Sequence, residues 1–184
     1  MLINVPIFVK IKNKNMKKLF ITAILLTGFA FTGQAQEISK NALGLRLGSN
    51  NGFGGELSYQ RALSKSNRLE LDLGWRDSDY FTAIKVTGLY QWVWNIEGGF
   101  NWYAGVGGGV GTWSYNDNWK KNNPFFVNND DGGAYFYAAG DIGIEYNFDA
   151  PILISLDYRP EFYLSGGYGD SYGSDIAFSI RYQF

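Results

Sequence analysis

The sequence predicts an all-β fold, an eight-stranded antiparallel up-and-down transmembrane β-barrel preceded by a cleaved signal peptide, and three observations carry that prediction. From Leu43 to Phe184 apolar residues alternate with small or polar ones at period two. An export signal stands near the start, and the chain ends on an aromatic residue in Ser179-Ile180-Arg181-Tyr182-Gln183-Phe184. In Leu69-Glu70-Leu71-Asp72-Leu73-Gly74-Trp75-Arg76 the odd positions are apolar and the even ones charged or small. One strand face therefore suits lipid, and the other must be enclosed.

Lys17 and Lys18 precede a largely apolar run from Leu19 to Phe31, and Gly33-Gln34-Ala35 then offers small residues at a cleavage site. That run is shorter than the ~20 residues of a spanning helix, so it reads as a removed signal. Residues 1–15 read as an upstream extension of the reading frame with Met16 as the start, 16–35 as the signal, and 36–184 as one barrel domain. Removing the five lysines before Gln36 leaves 11 basic residues against 17 acidic, which argues against nucleic acid as a partner. The chain has no cysteine, hence no disulfide and no lipid-anchored N-terminus. Thirteen tyrosines, six tryptophans and 24 glycines at 18% charge fit neither a disordered chain nor an ordinary soluble α/β domain.

In order, the strands fall at 42–49, 53–62, 68–76, 81–94, 99–113, 134–147, 152–163 and 174–184. Eight is even, as a single-chain bacterial barrel requires. Connections after the second, fourth and sixth strands are short, and those after the fifth and seventh, 114–133 and 164–173, are long. The first two connections at the long-loop end, 49–52 and 77–80, are short as well. Pro160 inside the seventh strand predicts a bulge or the strand's end, because a closed sheet has no edge to accommodate a missing N–H. Leu89 and Val93 fall on the nominal inner face, which predicts that the fourth strand's register or its lower boundary is off by one.

The predicted lipid face carries Leu43, Leu45, Leu47, Leu57, Leu69, Leu71, Leu73, Ile84, Val86, Val106, Val110, Ile142, Ile144, Ile154, Leu156, Ile176, Phe178 and Ile180. Outward aromatics gather near strand ends: Tyr59, Tyr90, Trp92, Trp102, Tyr146, Tyr182 and Phe184 at one, Trp75 and Phe162 at the other. These read as interfacial girdles. A soluble lipocalin-like ligand-binding barrel would invert the two faces, an inversion that alternation alone permits and the girdles oppose.

The predicted interior holds Arg46, Glu56, Glu70, Asp72, Arg76, Lys85, Asp141, Glu145, Asp157, Arg159, Glu161 and Arg181. Folding each hairpin about its loop sets Arg46 opposite Glu56, Asp72 opposite Lys85 and Asp157 opposite Arg181. Eight strands leave room for packed side chains and not for a wide channel, so these charges read as an internal plug and register lock. A narrow gated pore for ions or small solutes is the alternative. Gly105, Gly107, Gly109 and Gly111 face inward, with Tyr135 and Tyr137 on the next strand positioned to cover them. The same residues would line any ligand cavity there. No helix follows the glycine run, so it is not a phosphate loop.

The signal, the eight amphipathic strands and the closing Tyr182-Gln183-Phe184 together resemble the small outer-membrane barrels of the OmpA-transmembrane and OmpX kind. The resemblance covers the whole of 36–184. It implies the outer membrane of a bacterium with two membranes, lipid and lipopolysaccharide as surroundings, and a role for Tyr182 and Phe184 as a signal to the barrel-assembly machinery. Related barrels that are enzymes resemble one another in using histidine as base, and this chain has none. Catalysis would then need a carboxylate pair or a Ser-Lys dyad. Glu70 with Asp72, and Asp157 with Glu161, are such carboxylates, but each strand also supplies an arginine, and ion pairing explains them better. No enzyme activity, cofactor or metal site is expected.

Contact with the outside falls to the loop at 114–133, where Trp119, Lys120, Lys121, Phe125 and Phe126 sit among asparagines and aspartates. Such a loop suits an envelope or extracellular protein, a glycan, or lipopolysaccharide phosphates. Asn128-Asn129-Asp130-Asp131 lacks the spacing of a calcium loop. The expected role is structural or surface-contacting.

Overall fold

The computed structural model describes residues 38–49, 54–77, 81–116, 132–165 and 171–184. The signal segment and the upstream extension lie outside them. The strands are β1 (Asn41–Gly48), β2 (Gly54–Ala62), β3 (Asn67–Asp77), β4 (Phe81–Glu97), β5 (Phe100–Tyr115), β6 (Gly132–Asn147), β7 (Ile152–Ser165) and β8 (Tyr172–Gln183). Each pairs antiparallel with its sequence neighbours, and β8 returns to β1 to close the barrel. Closure satisfies the backbone polar groups that lipid cannot.

Short turns join β2 to β3, β4 to β5 and β6 to β7 at one end. The tightest, Gly98-Gly99, needs Gly98 in the left-handed region at φ 54°, a conformation open to glycine at little cost. At the seam Asn41 and Phe184 exchange backbone hydrogen bonds of 3.0 and 2.9 Å.

The registers fix the barrel's geometry. Partners followed from Leu47 through Gly55, Trp75, Ile84 and Thr112 reach β6 at Ala134. The other way, through Phe178 and Leu156, they reach β6 at Ile144. The two arrivals lie ten positions apart, which is the barrel's stagger. Strands are then tilted by about 40°, and each residue advances about 2.5 Å along the axis.

Two expectations about local irregularity need correction. β7 continues through Pro160 to Ser165 without a bulge there. The ladder to β6 instead skips from Ala139↔Glu161 to Ile142↔Tyr158, where the proline ring packs 3.2 Å from the Cβ position of Gly140. The missing donor thus falls where no bond is made, and the register shift lies further along, at Phe136/Tyr137. In β4 the register holds and it is the lower boundary that moves, from 94 to Glu97: Ala83, Lys85, Thr87, Leu89, Gln91 and Val93 all point inward and are buried. Leu89 is a lumen residue because it packs with Tyr137 and Ala139.

Candidate functional site: the charged lumen

Inward positions on every strand meet across the lumen. Arg46 of β1 is fully buried and donates to Asp157 of β7, to Glu56 of β2 at 3.0 Å and to Asp175 of β8 at 2.8 Å. Arg159 of β7 reaches Glu56 at 3.2 Å and both Glu70 and Asp72 of β3 at 2.9 Å. Lys85 of β4 stands between Glu56 at 3.0 Å and Glu161 of β7 at 2.7 Å. Arg181 of β8 donates to Ser58 at 3.0 Å, Ser155 at 2.9 Å and Glu70 at 3.2 Å. Asp141 accepts from Gln91, and Glu145 pairs with Arg68 at 2.8 Å.

Of the twelve interior charges read from the sequence, all but Arg76 are buried; Arg76 is half-buried, 3.9 Å from both Glu56 and Asp175. The bonds of Arg159 and Lys85, with Arg46 to Asp157, Arg181 to Glu70 and Arg68 to Glu145, join strands that are not neighbours and so tie separate walls together. Most of its charges meet an opposite charge directly, as an enclosed ion-pair lattice requires to persist, while Asp72 Oδ1, Asp141 Oδ1 and Arg159 Nε are buried without a hydrogen-bond partner among the described residues. At the turn end the residual cavity is about 10 Å³, bounded by Gln60, Arg68, Asn101 and Glu145, about the size of one water.

The hairpin rule placed one pair of three. Arg46 lies opposite Glu56. Asp72 lies opposite Thr87 and Lys85 opposite Gly74, because β3 runs to Asp77 and moves the hairpin axis by one residue, hence each pairing by two. Asp157 lies opposite Ala177 and Arg181 opposite Leu153, because β7 runs three residues beyond its last β8 partner to pair with β6. Sequence reading also omitted Arg68 and Asp175, both buried. The signal was available: Arg68 shares parity with Glu70 and Asp72, and Asp175 with Arg181.

Above this lattice the lumen is aromatic. Tyr137 stands over Gly109 and Tyr135 over Gly111, their ring atoms within 2.4–2.7 Å of where a Cβ would be. Tyr163 packs edge-on to both rings at 5.7 and 6.1 Å. The rings occupy the volume the glycines vacate.

Outside, the eighteen aliphatic and aromatic residues read as lipid-facing all point outward, with Leu69 and Ile154 half-buried and the rest exposed. This contradicts the soluble alternative, which places them inside. With about 2.5 Å per residue, the belt runs about 25 Å, from Ile84, Phe136 and Phe162 down to Trp102, Tyr146 and Tyr182, the height of a barrel's apolar band. Trp94 and Trp102 stack at 4.2 Å within the lower girdle. Tyr182 and Phe184 are exposed at 58% and 60%. Trp119, Lys120, Lys121, Phe125 and Phe126 lie outside the described residues. Among the described residues no carboxylate group is disposed to hold a metal ion.

Sequence comparison matches no protein-family model and no curated protein. Solved structures do match. The N-terminal β-barrel domain of Pseudomonas aeruginosa OprF is similar at TM-score 0.58 and 12% identity, over 79% of this chain and 98% of that one. Neisserial surface protein A is similar at 0.58 and 12%, over 78% and 94%. A de novo designed transmembrane β-barrel gives 0.55 and 14%, over 82% and 100%. The fold is that of the small eight-stranded transmembrane barrels found in bacterial outer membranes.

Proposed function

We propose that this eight-stranded barrel is a non-enzymatic outer-membrane protein whose charge lattice plugs the lumen and locks the register, leaving its outer loops for structural or surface contacts. The observation that carries this reading is the set of cross-lumen bonds from Arg46, Arg159 and Lys85 to carboxylates on opposite walls. An apolar belt of about 25 Å supports the outer membrane as its place. The outer loop with Trp119, Lys120, Lys121, Phe125 and Phe126 is the surface offered to a protein, a glycan or lipopolysaccharide. Residues 36–184, refolded in detergent, should show a mobility shift on boiling before SDS gels; a soluble folded species without that shift would sink the proposal.

A narrow gated pore is favoured by one observation. Lys85 holds two carboxylates of different walls at once, so a single flexible cation bridges the lumen. Planar-bilayer recording discriminates: a silent native barrel and a silent Lys85→Ala variant support the plug, whereas conductance that Lys85→Ala increases supports the gate.

A further inference from the structure

The turn end of the barrel is divided by charge. On its β1–β3 side Lys40, Arg61 and Lys65 are exposed. On its β4–β7 side stand Glu97 and Asp149, with the aromatic pairs Trp94–Trp102, Phe100–Tyr146 and Tyr146–Phe148. Arg61 points outward at the height of Trp102, Tyr146 and Tyr182, to within about 3 Å by the axial rise per residue. Its guanidinium donates to Asn41 at 2.7 Å. No carboxylate among the described residues pairs with Lys40 or Lys65. Between them opens a cleft of about 530 Å³ lined by Ile38, Ser39, Lys40, Ala62, Leu63, Ser64 and Lys65. Leu63, at the tip of the turn, is 56% exposed.

We infer that this cleft is a docking site for an anionic phospholipid of the leaflet at the turn end, such as phosphatidylglycerol. This deepens the outer-membrane reading and rests on it. Arg61 stands at headgroup height with Lys40 and Lys65 on its turn-end side, so the phosphate meets the three cations at the barrel rim while the acyl chains run along the outward Tyr59 and Leu57 of β2. Charge complementarity selects the lipid: the rest of the exported chain is acidic, and a zwitterionic headgroup brings its own ammonium to the same cations. Each Lys or Arg held at an anionic surface contributes about fivefold to binding, so three give a preference of roughly a hundredfold for phosphatidylglycerol over phosphatidylcholine.

The test uses residues 36–184 refolded in detergent, with folding verified by the boiling shift, titrated with phosphatidylglycerol or phosphatidylcholine and read by native mass spectrometry. The expected result is a phosphatidylglycerol adduct that survives excess inorganic phosphate, with a K40Q/K65Q variant losing about 25-fold of the preference. Equal binding of the two lipids, or an undiminished preference in the variant, would overturn the inference while leaving the barrel intact. Displacement by inorganic phosphate would overturn the lipid as occupant. Absence of the boiling shift would remove the outer-membrane reading and this inference with it.

Discussion

Replacing Arg46 by alanine is the most searching perturbation of the lattice. The guanidinium bonds carboxylates on three strands, Glu56, Asp157 and Asp175, and none of the four groups is more than 3% exposed. Charge-assisted hydrogen bonds contribute about 1.5–3 kcal/mol each, so three carboxylates give a gross loss of about 4.5–9 kcal/mol. Relief of the guanidinium's own desolvation offsets part of that, and truncating one partner of a buried pair costs about 3–5 kcal/mol in practice. A loss of about 4 kcal/mol is therefore expected. Equilibrium urea unfolding in short-chain phosphatidylcholine vesicles, followed by tryptophan fluorescence, would register it as a midpoint lowered by about 2 M at a slope of about 2 kcal/mol/M. Exposed Lys65→Ala should stay within about 0.5 kcal/mol. Adding Asp157→Asn to the Arg46→Ala variant should cost less than its effect alone, since its partner is already gone. A loss below about 1 kcal/mol for Arg46→Ala, or strict additivity in the double variant, would refute the view that the lattice holds the barrel closed.

Three other substitutions probe the wall. Leu57→Lys places a charge near the middle of the lipid belt and should destabilise by about 2–4 kcal/mol in the same assay; a cost near zero would mean that β2 does not face lipid. Gly109→Ala drives a methyl to 2.4 Å from the Tyr137 hydroxyl and 2.3 Å from the Val86 carbonyl oxygen, and should cost about 1–3 kcal/mol; a neutral effect would show that the ring does not cover the glycine tightly. Phe184→Ala keeps the backbone bonds to Asn41 and removes only an exposed ring. It should leave urea stability within about 1 kcal/mol while lowering assembled barrel in the cell envelope, and unchanged assembly would argue against a biogenesis role.

Strand identity was legible because lipid and lumen impose opposite demands on adjacent residues. Leu71 and Asp72 report their faces without reference to any distant partner. Hairpin partners were less legible, because they depend on where each loop's axis falls. One extra residue at Asp77 moved Asp72 from Lys85 to Thr87. The cross-lumen partners were not legible at all: Lys85 meets Glu161, 76 positions away, through a stagger that only closure defines. Leu89 misled for a related reason. It is an apolar residue in a polar lumen, balanced by Tyr137 from β6, and its own strand carries no sign of that partner.

The placement of charge inside also sets what a single strand would cost in lipid. β4, β5 and β6 run 17, 16 and 16 residues. Filled with aliphatic residues on both faces, each would approach the ~20-residue apolar run of a spanning helix. In β5 glycines at 105, 107, 109 and 111 take the inward positions, while Lys85 and Gln91 interrupt the run in β4 and Asp141 that in β6. The same side chains acquire partners only once β4 and β6 have closed against β3, β7 and β2. In the closed barrel Lys85 bridges Glu56 and Glu161, and Gln91 donates to Glu70 and Asp141. An isolated β4 or β6 placed in lipid would carry Lys85 or Asp141 unpaired at a cost of several kcal/mol each, a cost that the partners brought by the closed barrel reduce.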